Sequence, residues 1–397
     1  MIDLYTASVV AFFAFLGVII YRDRKNIEFK YVLLMRKTKR FSKLLDDVAK
    51  KSIGFWKIVG TLAFIVCLFF MIYGAWNMVN VAYLVYSGAI DQPALSIALP
   101  IPSDQMTVGP GFIGIPFWFW IIAIAIILVP HEAMHGIIAR SEKIKLKDVG
   151  LMLLAIFPGA FVEPDEKQLK KSKLMTRLRI FSAGSFINIS IGVLVLLLVQ
   201  SFLWAPNVSG ILITGVNETS PAGQLGLEPG MVIEKIGSID STMTFNDYAF
   251  LALTEEKSNS ESITKTMAGY IIIGSLSSYA PGDTVEIIVD GETIELELEQ
   301  HPAVTDFAYP YIGIESKVYA NDYGMFLVIF PLLGMIASLS VLVGIFNILP
   351  IYPLDGGLIV QALAEKISKK RGQQITLAIT IAMVAVIAFT FVGPLFI

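Results

Sequence analysis

The stretch LVPHEAMHGIIA (128–139) sets His131, Glu132 and His135 inside an apolar run. On a helix, residues four apart share one face, with about 6 Å of rise between them. Two imidazoles so placed can ligate one zinc ion. The glutamate beside the first can act as general base on a water that the metal activates. In a soluble helix this pattern alone says little. In a membrane-spanning helix each ionisable side chain costs about 2.5 kcal/mol or more at the centre. A shared divalent cation answers all three residues at once. The competing reading is a polar cluster lining a channel.

Two histidines leave a catalytic zinc site one protein ligand short, because three protein ligands and one open position are usual. Two carboxylates are candidates. Glu163 follows in the next apolar segment, and Asp355 lies in NILPIYPLDGG (347–357). Pro350 and Pro353 stop a helix there. Gly356 and Gly357 permit close backbone approach or the start of a new helix. The bland alternative for Asp355 is an exposed residue in an interfacial turn. The chain has three histidines and one cysteine, Cys67. That excludes an intrachain disulfide and a cysteine-based zinc site.

Membrane helices must position these residues. Of 397 residues, 55% are hydrophobic and 16% charged, whereas soluble chains are about a quarter charged. Apolar runs fall at about 4–20, 55–85, 112–139, 180–204, 325–349 and 374–396. They predict about six transmembrane helices, each near the length that crosses about 30 Å of hydrocarbon. Trp76, Asn77 and Asn80 interrupt the second run and point to an interfacial extension. Segments 21–54 and 140–179 carry eleven and ten Lys/Arg, 366–371 carries four, and 86–111 carries none. Basic segments stay cytoplasmic. The alternation therefore predicts both termini outside, with His131, His135 and Asp355 all in the cytoplasmic half of the membrane. The bases Arg22, Arg24 and Lys25 follow the first run rather than precede it, so a retained span is expected, not a cleaved signal.

Two segments depart from this pattern. VGLMLLAIFPGAFVEPD (149–165) is apolar but too short to cross, and Pro158-Gly159 interrupts it. It predicts a β-hairpin or re-entrant element at membrane depth, which must be covered by protein or line a cavity. Residues 206–323 hold 18 of the 33 acids and only 4 of the 30 bases. They predict a soluble, β-rich outer domain with strands near 210–216, 231–236, 284–290 and 293–299. A hairpin turn is expected at Asp290-Gly291-Glu292, and a polar loop at 255–265.

GLEPGMVIEKIGS (226–238) resembles the Gly-Leu-x-x-Gly-Asp stretch of PDZ domains, with Met231 where aspartate is usual. Tyr311, Ile312, Gly313 and Ile314 then resemble the loop that binds a peptide carboxylate, in the circularly permuted order. The resemblance implies that peptide C-termini can dock there by strand addition.

At the membrane level, His131-Glu132-x-x-His135 and Asn347-x-x-Pro350-x-x-x-x-Asp355-Gly356 resemble the two motifs of the site-2 proteases. These are intramembrane zinc metalloproteases. AGSFIN (183–188) is similar to the family's Gly-x-x-x-Asn element through Gly184 and Asn188. FPGAFVEPD (157–165) is similar to its membrane-associated hairpin, centred on Gly159, Ala160, Phe161 and Val162. An inserted PDZ domain is a recurrent arrangement in the family. The resemblance covers about 112–357. It implies that His131, His135 and Asp355 bind one Zn2+ and that Glu132 is the general base. It implies that Asn188 and Asn347 hold substrate backbone or the developing oxyanion. Interhelical hydrogen bonding is the alternative for each asparagine. Residues 157–162 would pair with an unwound substrate strand.

The expected fold is a polytopic α-helical membrane protein with a membrane-associated hairpin and an inserted β-rich PDZ-like domain. Residues 1–111 carry two helices and a basic loop. Residues 112–205 and 324–357 form the two halves of the catalytic core, around the extracytoplasmic domain at 206–323. An amphipathic segment and the last span fill 358–397. The expected partners are the lipid bilayer, single-span membrane protein substrates and peptide C-termini, and the expected location is the plasma membrane. The outer domain would gate or dock the substrate. Two other function classes compete. A transporter of ions or metal would need polar residues on several spans. A non-catalytic PDZ-bearing adaptor would not need Glu132 or the paired histidines. No segment points to nucleic acid, and the glycines at 54–60 and 109–114 lack the Gly-Lys-Ser/Thr of a phosphate loop. His301 reads as an ordinary surface residue. Glu142, Asp165, Glu166 and Glu365 read as solvated charges.

Overall fold

The computed structural model describes residues 3–395 apart from 31–32, 91–92, 104–105, 110, 155–156, 201–207, 238, 241–267, 269–271, 274, 303–307 and 321–325. The polar stretch 255–265 lies outside the described residues. Two compact units emerge. One comprises Met1–Asp104, Val108–Leu196 and Met335–Ile397; the other comprises Gln105–Thr107 and Leu197–Gly334.

Five helices are long and apolar enough to cross a membrane. They are α1 (Leu4–Asp23), α3 (Ile53–Tyr86), α4 (Phe117–Ser141), α6 (Leu174–Gln200) and the last helix, Gly372–Val392. The chain is thus a polytopic helical membrane protein. The apolar helix Phe326–Ile348 accounts for the fifth run of the sequence. Helix α3 continues unbroken through Trp76, Asn77 and Asn80. At 34 residues it is about 51 Å long, well beyond the hydrocarbon thickness. Its Ile58, Phe69 and Ile72 are exposed, as lipid-facing residues are. Trp118 Nε1 donates to Ser8 Oγ (2.9 Å), and Phe12 packs edge-on against Phe117. The aromatic start of α4 therefore ties it to α1.

Strands β1 (Ile27–Lys30), β2 (Leu33–Lys37), β6 (Leu146–Leu154) and β7 (Phe157–Pro164) form one antiparallel sheet in the order β1-β2-β6-β7. The short strands β3 (Ile97–Ile101), β4 (Thr107–Gly109) and β5 (Phe112–Pro116) precede α4. The apolar stretch 149–165 thus belongs to the hairpin β6-β7. The basic loop after α1 contributes two further strands that extend it. Lys37 bridges this sheet, pairing with Glu28 on β1 (2.9 Å) and Asp148 on β6 (3.1 Å).

The same basic loop supplies α2 (Lys39–Lys51), whose buried Leu45 and Ala49 face the core. Gly136 of α4 makes room for this helix. A Cβ there would stand 2.6 Å from Leu45 Cδ1 and 3.2 Å from Val162 Cγ1. Arg140 Nη2 donates to Asp46 Oδ2 (2.7 Å) and fastens α2 to α4. Helix α4 is therefore clamped between α2 and the β7 strand.

Three of the four charges near the helix ends are tied into the structure, whereas Glu166 is exposed beside Lys170 and solvated as expected. The Glu142 side chain keeps only 7% of its exposure and accepts from Arg179 Nη1 (2.6 Å) and Thr176 Oγ1 (2.8 Å). Asp165 caps the short helix α5 (Glu166–Lys171) by accepting from the Gln168 N–H. Glu365 pairs with Arg177 at 2.8 Å. Removing one partner of a buried pair strands the other charge. Glu142→Ala is therefore expected to cost about 2–3 kcal/mol, the low end because Arg179 retains some solvent. A clear fall of the thermal midpoint in detergent would show it, and an unchanged midpoint would count against it.

In the second unit, β8 (Val208–Val216), β9 (Val232–Ile236), β11 (Thr284–Val289), β12 (Glu292–Glu297) and β15 (Ile314–Ala320) form a sheet in the order β12-β11-β9-β8-β15. A short β10 (Ile239–Asp240) pairs with β9. Asp290 (φ 49°) and Gly291 (φ 80°) make the two-residue turn between β11 and β12, both in the left-handed region that hairpin turns favour. Ile211, Ile213, Ile233, Ile236, Ile287 and Leu296 fill the core. The small strands β13 (Glu299–Gln300) and β14 (Pro310–Tyr311) pair beside a one-turn helix, α7 (Pro221–Gln224).

Candidate active site

His131, His135 and Asp355 converge although the last is more than 200 residues away in the chain. Helix α4 presents both imidazoles on one face, their rings 4.8 Å apart. Asp355 opens the helix Asp355–Ile367. The turn before it is tight. A Cβ on Gly356 would strike the carbonyls of Ile348 and Leu349, and one on Gly357 would strike Ile351 and Tyr352. Glycine at both positions lets that helix start directly beneath the helix Phe326–Ile348.

Small residues then bring this hairpin of helices against α6. Gly344 sits against the Ser185 carbonyl and Ile189, and Gly192 sits against Ala337 and Val341. Close approach through small residues is how helices pack in membranes, where water supplies no hydrophobic drive.

The candidate ligating atoms stand close to the separations of a tetrahedral ion, with each histidine facing a different oxygen of Asp355. His131 Nε2 is 3.2 Å from His135 Nε2 and 3.5 Å from Asp355 Oδ2, and His135 Nε2 is 3.3 Å from Asp355 Oδ1. Ligands about 2.0–2.2 Å from a tetrahedral zinc lie about 3.3–3.6 Å from one another. Among the described residues, these three form the one group of His, Cys, Asp or Glu able to hold a metal. Gly184 of α6 supports the fit. A Cβ there would strike Nε2 of both imidazoles, so the cradle needs glycine.

The profile of peptidase family M50 matches residues 119–391. This chain belongs to peptidase family M50. Among proteins similar to this chain, an uncharacterized protein of Methanocaldococcus jannaschii is 27% identical over 58% of this chain and 60% of its own length. A protein of Arabidopsis thaliana named as a membrane-bound transcription factor site-2 protease homolog is 28% identical over 41% of this chain and 31% of its own. The M50 chain thus spans about three-fifths and about one-third of these two relatives.

The other residues marked by the sequence fall into two groups in the M50 chain. Glu132, beside the first histidine, accepts from the Val162 N–H of β7 through Oε2 (3.0 Å). That bond joins the hairpin to the site. Asn188 is fully buried, and its amide lies 3.1 Å from His131 Nδ1. Asn347 is half-buried near the end of its helix. Glu163 turns away, its carboxylate bound to Lys147 at 2.7 Å. Two further groups had no signature of their own in the sequence. Ser185 Oγ donates to Asp355 Oδ2 (2.8 Å), and His135 Nδ1 lies 2.7 Å from the Ile180 carbonyl. Ser185 stands out only as a polar residue between Gly184 and Asn188.

The second unit has a cavity of about 480 Å³ lined by Ile272, Leu276, His301, Tyr311, Ile312 and Gly313, among others. His301 is not loose on the surface. Its ring packs edge-on against Tyr309 (5.6 Å) and Tyr311 (4.9 Å). The carbonyl of Ile312 accepts from Ala222, and that of Gly313 accepts from Asn217, both at 3.0 Å. Those two peptide groups therefore direct the N–H of Gly313 and of Ile314 the opposite way.

Proposed function

We propose that this chain is an intramembrane zinc endopeptidase that cleaves transmembrane segments of membrane-anchored proteins, as in regulated intramembrane proteolysis. One observation carries the reading: two histidines of a membrane-spanning helix, with Glu132 beside the first of them, meet Asp355 at separations close to those of zinc ligands. His131 Nε2, His135 Nε2 and an oxygen of Asp355 would hold the zinc. When bound, the ion supplies a Lewis acid and lowers the pKa of water so that it attacks a peptide carbonyl near neutral pH.

The chain's own residues do the rest. Glu132 is the general base: Oε1, the oxygen not engaged by Val162, takes the proton of the attacking water and returns it to the leaving amine. Asn347 is an amide donor for substrate backbone or the developing oxyanion. Helical substrate hides its peptide bonds, so it must be unwound before attack. The hairpin suits that task. Val162 turns its N–H to Glu132 and away from β6. In an antiparallel pair alternate residues face the same way, so Ala160 and Pro158 share that edge. Proline has no N–H. Ala160, flanked by Gly159, Phe161 and Val162, is then the residue whose N–H and C=O lie on that edge; it is buried, so an extended substrate strand would reach it only once the edge opens.

The charge alternation supports six spans with both termini outside, the metal centre in the cytoplasmic half, and a plasma membrane location. The second unit fits an outer PDZ-like domain. The N–H groups of Gly313 and Ile314, beside Tyr311 and Ile312, suit a peptide carboxylate docking along β15. Such a domain would admit substrates by the length or terminus of their outer part. Deleting 206–323 is expected to change which substrate lengths are cut, read by gel on full-length and trimmed substrates. Identical cleavage of both series before and after deletion would contradict the gate.

The test of the activity uses the purified chain in vesicles with a fluorescent single-span substrate. Cleavage within the span, abolished by a chelator and restored by zinc, is the expected result. No cleavage, with zinc moving into the vesicles instead, would overturn it in favour of transport.

A further inference from the structure

All three candidate ligands have their polar partners on one helix. Along α6, Ile180, Gly184 and Asn188 recur at four-residue intervals, and Ser185 lies three before Asn188. That spacing puts them on one stripe. The Ile180 carbonyl lies against His135 Nδ1, the Ser185 hydroxyl against Asp355 Oδ2, and the Asn188 amide against His131 Nδ1. Ser185 and Asn188 are both fully buried. Neighbouring serines behave otherwise. Ser182 and Ser190 spend their hydroxyls on the Leu178 and Phe186 carbonyls of their own helix.

The Asn188 amide carries a second clue. Its Oδ1 is buried with no hydrogen-bond partner, while Nδ2 faces His131 Nδ1. The oxygen and nitrogen of an amide are told apart only by their network. Here the network asks for the reverse. His131 turns Nε2 toward His135 and Asp355. A neutral imidazole that ligates through Nε2 carries its proton on Nδ1 and needs an acceptor for it. Turning the amide over sets Oδ1 against Nδ1–H, as the ligating tautomer requires, and leaves the NH2 group rather than the oxygen in the unpartnered position.

We propose that α6 is the template for the metal centre, with Ser185 and Asn188 as positioning residues. Ser185 orients the Asp355 carboxylate. Asn188, through Oδ1, fixes the tautomer and ring plane of His131, as the Ile180 carbonyl does for His135. Asn188 then serves the ligand rather than the substrate. Partners of this kind hold metal affinity as well as geometry. The inference rests on the zinc reading of the site.

The test is made in the Glu132→Gln chain, so that nothing read depends on turnover. Zinc affinity is measured by chelator competition and site geometry by the visible spectrum of the cobalt(II) form. Ser185→Ala and Asn188→Leu are each expected to weaken zinc about 10–100-fold and to alter the cobalt spectrum. Asn188→Asp keeps an acceptor oxygen and is expected to stay close to the parent. Ser182→Ala and Ser190→Ala are expected to leave both readouts unchanged. A parent that binds one zinc, with affinity unmoved by Ser185→Ala and Asn188→Leu, would overturn the template. Equal losses in Ser182→Ala, or a loss in Asn188→Asp as large as in Asn188→Leu, would overturn it too. A parent that binds no zinc would sink the metal reading itself, and the template with it.

Discussion

Glu132→Gln is expected to lower kcat about a thousandfold while leaving one zinc per chain in place. Glutamine matches glutamate in size and can still accept the Val162 N–H through its amide oxygen. The candidate ligands His131, His135 and Asp355 keep their positions, because they are held by Asn188, Ile180 and Ser185 of α6. What disappears is the proton acceptor, and general-base catalysis is worth about 10²–10⁴ in rate. KM should move little, since the proposed substrate contacts on β7 and at Asn347 remain. Initial rates on a fluorescent single-span substrate, with metal content measured on the same sample, decide it. Activity within about tenfold of wild type would assign the base elsewhere.

The second large effect is expected from Gly184→Ala. One added carbon on α6 would strike Nε2 of both imidazoles, the atoms that face the metal position. Neither ring has an easy retreat. His135 is tied by Nδ1 to the Ile180 carbonyl, and His131 lies against Asn188. The α6 backbone cannot withdraw either, because Gly344 and Gly192 mark where it meets the helix Phe326–Ile348. Zinc content is expected to fall to a small fraction of one per chain and cleavage to vanish, while helical content and membrane insertion persist. Gly17→Ala is the matched control, since an added carbon there meets nothing within 4 Å. Full zinc occupancy in Gly184→Ala would mean that the imidazoles sit elsewhere.

The polar residues of the candidate metal centre were legible because membrane helices make them conspicuous. His131, Glu132 and His135 interrupt an apolar run, and Asp355 follows two prolines at the matching depth by charge alternation. The long apolar helices were legible for the same reason. Ser185 was not, since a single serine in a membrane helix usually bonds its own backbone, as Ser182 and Ser190 do. Strands β1 and β2 were hidden in a basic loop, where charge patterning masks short alternation; they form because β6 offers them an edge. Glu142 looked solvated among lysines, but Arg179 reaches it from 37 residues away. His301 reads as a surface residue before Pro302, yet the pairing of β13 with β14 brings Tyr309 and Tyr311 to its ring. Except for His301, whose partners are eight and ten residues on, each of these depends on a partner distant in the chain, which no local pattern encodes.

Metal and cleavage counted together on wild type, Glu132→Gln and Asp355→Ala, each purified and returned to vesicles, test the account most directly. About one zinc per chain is predicted in the first two and almost none in the third, with cleavage inside the substrate span by wild type alone. Cleavage by Asp355→Ala without metal, or an active wild type that holds no zinc, would contradict it.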